Sequence, residues 1–298
     1  MELDIEKVKS LLKNTEYESL HDYISVVEAN GNIYKNLFKI GTEKTGFFAL
    51  KINESGKRFI CDSIENIKIM KDEDNLINEY IYTKEKDNYI ITVSKWLKGR
   101  QPTIKNRDDL PKFFSLLGRF NKQNVVQGPF TSMYVEYKYF ETVGELIDWE
   151  IKYHLEHIHN FMDTRQIENI LLNLKNGMPC IISEDMNTGN LLLTDTGYYK
   201  IIDTEWLIKG LNLYQFEKIN YFGFDEKEWS NITEEAKECY VAYFDSIGIK
   251  KNEANEQIRS FELLQVLRTN TCERKYLLGN NEELKRKIDI VIKHDEFI

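Results

Sequence analysis

Proline is scarce in this chain, 4 in 298 residues, and glycine is modest at 15. No low-complexity tract and no internal repeat interrupts the sequence, which excludes linker arrays and solenoid architectures. Long hydrophobic runs are missing too. No apolar stretch approaches the roughly 20 residues that a helix needs to cross a bilayer. The opening residues, Met-Glu-Leu-Asp-Ile-Glu-Lys, carry acids where a secretory signal has a basic start and an apolar core, so a cytoplasmic protein is expected. Cysteine is confined to Cys61, Cys180, Cys239 and Cys272, with no C-x-x-C pair. Zinc and dithiol chemistry are therefore disfavoured, and buried reduced thiols are expected. Positive charge is in deficit: 40 Lys and Arg face 49 Asp and Glu, a formal net charge of -9. That disfavours nucleic acid, whose phosphates want a basic face, and suits a cationic small molecule.

What is present reads as a globular chain of two unequal parts, 42% hydrophobic and 30% charged. Leu3, Ile5, Val8, Leu11 and Leu12 recur at helical spacing. Residues 21–52 change to a period near two and read as three strands, with turns at Ala29-Asn30-Gly31 and Gly41-Thr42-Glu43-Lys44. Phe59, Ile60, Ile64, Ile67 and Met70 predict a helix over 57–71. Residues 79–84 and 88–97 predict a hairpin about Lys86-Asp87-Asn88. Beyond Gly99 helices dominate, at 108–122, 145–160, 165–174, 233–247, 254–270 and 282–293, with a short hairpin across 181–203. The expectation is an α+β chain: a β-rich lobe at 1–97 and a mainly helical lobe at 98–298.

The richest stretch is 181–206. Asp185 is followed five residues later by Asn190. A three-leucine strand, a Thr-Gly turn and a second apolar strand then deliver Asp203. One carboxylate to orient a hydroxyl, followed by an amide and a second carboxylate as hard oxygen ligands for magnesium, is the layout of a phosphoryl-transfer site. Taken alone, the same residues also describe a β-hairpin with an Asx turn. Lys51 ends the alternating strand Phe47–Ile52, where a lysine can grip nucleotide phosphates. Glu65, central in the following helix, is the expected holder of that lysine. The strand 90–97 stops at Gly99, where the Lys95 carbonyl and the Leu97 amide could meet an adenine edge, with Trp96 as an interlobe plug.

With these residues in hand, the chain resembles the aminoglycoside phosphotransferase and choline kinase superfamily of protein-kinase-like enzymes. Within it, the resemblance is nearest to spore-coat-associated kinase-like proteins. The likeness rests on Ala49-Leu50-Lys51, the helix through Glu65, Trp96–Arg100, Gly118–Asn121, Ser183-Glu184-Asp185 with Asn190, and Ile201-Ile202-Asp203. It implies a bilobal protein-kinase-like fold, ATP and Mg2+, and transfer to a small-molecule hydroxyl. On that implication Asp185 is catalytic, Asn190 and Asp203 bind metal, and Gly31, Lys51, Glu65, Lys95 and Leu97 serve the nucleotide.

The sequence departs from the family pattern in four places. Ser183-Glu184 stands where a His-Gly or His-Gln pair usually precedes the aspartate. The nucleotide-covering turn has a single glycine, Gly31. Asp203-Thr204-Glu205 replaces the usual triplet, with Glu205 a possible further metal ligand. Leu213–Phe216 stands where an aspartate usually ties the catalytic loop to a helix. These departures keep a second expectation open: a catalytically impaired nucleotide-binding or structural relative. Residues 125–165 are expected to shape the acceptor site, with Phe130, Tyr134, Tyr137, Tyr139, Phe140 and Trp149 either boxing a cationic amine or filling core. His154, His157 and His159 lack a completing ligand set and are expected on a partly exposed helix surface.

Overall fold

A computed structural model describes residues 3–29, 32–103, 108–132, 137–216, 234–271, 281–294 and 296–298. The N-terminal part is sheet-rich. Helix α1 (Ile5–Leu12) is capped by Asp4, whose carboxylate accepts from the Lys7 amide at 2.7 Å. A 3-10 turn at Glu18–Tyr23 then leads to β1 (Ile24–Ala29), β2 (Asn32–Thr42) and β3 (Gly46–Glu54). After α2 (Arg58–Ile69), strands β4 (Tyr80–Lys86) and β5 (Tyr89–Lys95) complete an antiparallel sheet ordered β1-β2-β3-β5-β4. Asp87 and Asn88 join the last two with φ of 52° and 65°. Two positive values in a two-residue loop match the twist of the flanking strands. The apolar stripe of α1 (Val8, Leu11, Leu12) lies with Phe38, Leu50, Ile52, Ile91 and Val93 in a separate core on this sheet. Full burial of each such side chain stabilises by about 1.5–3 kcal/mol.

The C-terminal part is mainly helical. It begins with the short β6 (Gly99–Arg100) and α3 (Leu110–Gln123), followed by β7 (Phe130–Ser132), β8 (Lys138–Phe140), α4 (Val143–Ile158) and α5 (Arg165–Leu171). Four short strands follow: β9 (Pro179–Ser183), β10 (Leu191–Thr194), β11 (Tyr199–Ile201) and β12 (Leu207–Leu211). Helices α6 (Glu234–Ile247), α7 (Lys251–Thr271) and α8 (Asn281–Lys293) close the fold. Asp109 caps α3, and Leu110, Phe113, Phe114, Leu117 and Phe120 form its buried stripe. At Gly118 a Cβ would fall 1.9 Å from Ser246 Oγ and 2.8 Å from the Tyr243 carbonyl oxygen. Glycine is therefore what lets α3 and α6 approach this closely. Thr142 and Glu145 form a complete capping box for α4.

Among the described residues the expected elements are present, while the pairings of β9 with β12, β7 with β8 and β6 with β10 were not expected. β9 and β12 are nearly continuous apolar runs too short to show a period. The histidine expectation is corrected. His157 and His159 are exposed, but His154 is fully buried, because the α4 face carrying Leu146, Ile147, Glu150 and Ile151 turns inward through it. Among the described residues no helix is long and apolar enough to cross a membrane.

Helix α2 is bound mainly to the C-terminal part. The Ser63 hydroxyl donates to the Thr204 carbonyl, and Asn66 Nδ2 donates to the Leu207 carbonyl at 2.9 Å. Both side chains are buried, so each is a strong constraint. Asn66→Ala removes a buried donor and leaves the Leu207 carbonyl without it. A loss of about 1–3 kcal/mol is expected in chemical denaturation, whereas Lys68→Ala on the exposed face changes stability by less than about 0.5 kcal/mol.

Candidate active site

Asp185 leaves β9 on a loop that the sequence folds locally. Asn187 Nδ2 donates to the Asp185 carbonyl and to its Oδ1, both at 3.2 Å, while Asn187 Oδ1 accepts from the Gly189 amide at 2.8 Å. Asn190 Nδ2 donates to the Asp185 carbonyl at 2.7 Å and to Oδ2 at 2.9 Å. Two amides therefore fix the Asp185 carboxylate, one on each oxygen. Because Asn190 spends its NH2 on Asp185, its Oδ1 is left as an acceptor facing elsewhere. The Ile202 amide donates to the Asn190 carbonyl at 2.9 Å, which draws Asp203 to the same end of the β10–β11 hairpin.

Where the resembled pattern has a His-Gly or His-Gln pair before the aspartate, this chain uses a ladder. Ser183 is buried and pairs with Leu207 across β9 and β12, and the Glu184 amide donates to the Trp206 carbonyl at 3.1 Å. Behind it lies a buried ionic network. Arg268 Nε donates to Glu150 Oε1 at 2.7 Å, Tyr214 donates to Glu150 Oε2, and the Arg268 guanidinium stands 4.3 Å from the Tyr214 ring centre. Burial first, then the Glu150 and Glu184 charges, hold the Tyr214 hydroxyl un-ionised. Tyr214, in the segment where the resembled pattern has a tying aspartate, thus links α4 and α7, bonded to Glu150 and stacked on Arg268. Nothing in the sequence pattern pairs Glu150 with Arg268, 118 positions apart.

Lys51 crosses from β3 to the other half of the molecule. Its Nζ lies 3.0 Å from both Asp203 oxygens and 2.9 Å from Glu205 Oε1. The side chains of Lys51, Asp203 and Glu205 are 17%, 28% and 13% exposed, so water screens this cluster weakly. Burial alone would push the Lys51 ammonium down. The two carboxylates outweigh it and raise its pKa.

Glu65 does not take the place expected for it. The buried face of α2 carries Ile60, Ser63 and Asn66, and Glu65 is exposed. Two residues on from Ser63 is about 200° round a helix, so binding of Ser63 and Asn66 to the β12 segment turns Glu65 away. Gly31 lies outside the described residues.

A cavity of about 620 Å³ separates the sheet from the hairpin, within the size range of small-molecule sites. Lys51, Lys95, Trp96, Leu97, Asn190 and Asp203 all line it. Asp185 adjoins it through Asn190. The Lys95 carbonyl accepts from Asn78 Nδ2 at 3.1 Å, leaving one lone pair for a ligand. Trp96 is half-buried and stacks under the Lys39 ammonium at 5.2 Å. Asn78, Asn53 and Asn187 were not singled out from sequence, and asparagines in strands and turns carry no period that could mark them.

The aromatics of 125–165 divide. Phe130 and Phe140 are core residues. Trp149 packs on Phe140, with ring centres 5.3 Å apart. Tyr137 and Tyr139 both donate to the Asp62 carboxylate of α2. Tyr134 lies outside the described residues.

Among the described residues no three His, Cys, Asp or Glu side chains cluster as a metal site. The donor set does fit magnesium. Asn190 Oδ1 and the Asp203 carboxylate are hard oxygens, and magnesium takes few protein ligands and completes its shell with phosphate and water.

No protein-family model and no curated protein matches the chain. Solved structures do. A Plasmodium vivax ethanolamine kinase superposes with a TM-score of 0.56 at 13% identity, covering 96% of this chain and 85% of the kinase. The fold is that of the small-molecule kinases. A thermostable mutant of an aminoglycoside phosphotransferase, in ternary complex with AMP-PNP and hygromycin B, gives 0.56 at 14% identity over 98% and 99% of the two chains. An aminoglycoside phosphotransferase from Alicyclobacillus acidocaldarius gives 0.53 at 11% identity over 92% and 93%. The chain therefore has the aminoglycoside phosphotransferase and choline kinase-like fold, β-rich at its N-terminal part and helical beyond.

The network behind Asp185 has a pH signature. Burial first, then the Arg268 and His157 charges, lower the His154 pKa to about 3. Unfolded, His154 titrates near 6.5, so between those values the unfolded chain binds a proton that the folded chain refuses. Its contribution is full above 6.5 and is lost as pH falls. Wild type is expected to lose about 1 kcal/mol more per pH unit than His154→Gln between pH 6 and 4, measured by urea denaturation at each pH.

Proposed function

We propose that the protein is an ATP- and Mg2+-dependent phosphotransferase acting on a small-molecule hydroxyl, with residues 1–97 as the nucleotide lobe and 98–298 carrying the acceptor site. The observation that carries this reading is that Lys51, Asn190 and Asp203 line one cavity, with Asp185 bonded to Asn190 at its edge, on a small-molecule kinase fold.

The chain's own groups divide the work. Lys95 and Leu97 present backbone groups along the cavity wall toward an adenine edge. Lys51 offers the phosphates a fixed cation. Asn187 and Asn190 hold the Asp185 carboxylate, which accepts the proton of the acceptor hydroxyl as that oxygen bonds to the terminal phosphorus and ADP departs. Asn190 Oδ1 and Asp203 would hold magnesium, which supplies charge neutralisation between the phosphates. The structural neighbours named for ethanolamine and for aminoglycosides support an amine-bearing alcohol as acceptor, as does the net charge of -9.

Two observations favour a second reading, an impaired nucleotide-binding relative. Lys51 already neutralises Asp203, and Ser183-Glu184 replaces the usual pair. Titration with Mg-ATP while following the melting temperature separates the two: both readings expect a rise with nucleotide, and only the enzyme transfers phosphate. Asp185→Ala is expected to lower turnover of amine-alcohol acceptors by about 100- to 10,000-fold, with the ATP-induced rise in melting temperature retained. Full activity of this variant would refute the role given to Asp185.

A further inference from the structure

Lys51 has two carboxylate partners, and they are not equivalent. Asp203 is the carboxylate that the reading above directs at magnesium. Glu205 is built in. Its Oε1 accepts from Lys51 at 2.9 Å and its Oε2 accepts from Asn53 Nδ2 at 3.1 Å. Asn53 is 4% exposed and stands two residues from Lys51, on the same face of β3. Its own Oδ1 accepts from Asn36 Nδ2 on β2 at 2.9 Å. Both oxygens of Glu205 are thus committed to donors from one strand, and a second strand fixes one of those donors. Meanwhile Glu65 is exposed on a helix whose inward face is bound to Thr204 and Leu207.

We propose that Glu205, not Glu65, is the residue that positions Lys51, with Asn53 and Asn36 holding Glu205 in place. The lysine of the sheet is then oriented from the segment that follows the second site carboxylate, and helix α2 is relieved of that task. This deepens the nucleotide-binding reading and rests on it for the use to which Lys51 is put. It also gives Glu205 a role different from the metal ligation that the sequence left open, because both of its oxygens are held by donors of β3.

The test compares wild type, Glu205→Gln, Glu65→Gln and Asn53→Ala by calorimetric binding of ADP and of adenosine in magnesium-free buffer. Glu205→Gln is expected to weaken ADP about tenfold, the size of one lost charge-assisted contact, and to leave adenosine unchanged. Asn53→Ala follows in the same direction with a smaller loss, and Glu65→Gln changes neither ligand. A loss for Glu205→Gln that appears only when magnesium is added makes Glu205 a metal ligand and overturns the proposal. Equal losses for ADP and adenosine indicate general damage and overturn it too.

A nucleotide-free arm uses melting temperatures of Lys51→Met, Glu205→Gln and their combination. Non-additivity of about 2 °C or more is expected, while Lys51→Met and Glu65→Gln add. Additive behaviour with Glu205 refutes the anchor whether or not ADP binds. A wild type that shows the coupling but binds no ADP upholds the anchor and refutes the phosphotransferase reading instead.

Discussion

One ammonium group joins the two halves of this molecule at the place where chemistry would occur. Lys51 arrives from the sheet; Asp203, 152 positions later, and Glu205, two residues beyond it, arrive from the end of the β10–β11 hairpin. None of the three is more than 28% exposed. Removing the lysine would leave two carboxylates facing each other with little water to separate them, and a buried charge without its partner is far costlier than a surface one. Three formal charges leave the cluster one unit negative. An excess carboxylate beside a lined cavity is what a site needs if a cation is to enter it, so stability and ligand readiness share one group of atoms.

The rest of the fold serves to present that cluster. The Asn190 carbonyl accepts from Ile202, which fixes where Asp203 begins. Pairing of Ser183 with Leu207 fixes where Asp185 leaves its strand. Asn78 lies between β5 and β11, its amide bonded to the Ile201 carbonyl and its side chain to the Lys95 carbonyl. The cavity wall and the hairpin floor are therefore in one hydrogen-bonded system, and a shift in either is felt by the other. The Glu150–Arg268–Tyr214 network does the same from behind. Its charges are almost wholly buried, so it holds α4, α7 and the Asp185 side of the site in a single arrangement at the cost of desolvation.

Much of this was legible beforehand, and the reasons are physical. Helices such as Leu110–Gln123 show their stripe, caps and boundary in the chain itself, because a helix buries every third or fourth residue regardless of its partner. The order Asp185, Asn190, Asp203 was visible because one short loop and one hairpin deliver all three. What could not be read were pairings decided by distant geometry. Glu65 had the right residue type in the right helix, but its orientation depends on Ser63 and Asn66 finding carbonyls about 140 positions away. His154 looked like one of three surface histidines until the α4 face containing Glu150 turned inward.

That failure at Glu65 bears on how the site is organised. If a glutamate on α2 held Lys51, any displacement of the helix would carry the lysine with it, and the helix would govern the site. Here α2 is bonded to Thr204 and Leu207, which flank Glu205, so the helix and the lysine are both referred to one short segment of backbone. Residues 203–207 then fix a carboxylate at the cavity, the partner of Lys51 and the seat of α2 together. A substitution at Asp203 or Glu205 perturbs charge, and one at Thr204 or Leu207 perturbs placement, yet both act on the same lysine. The five residues from Asp203 to Leu207 thus couple the sheet to the hairpin through buried charge and buried hydrogen bonds, where the strand near Gly99 contributes backbone pairing to β10 and the Asp195 amide on the Lys98 carbonyl.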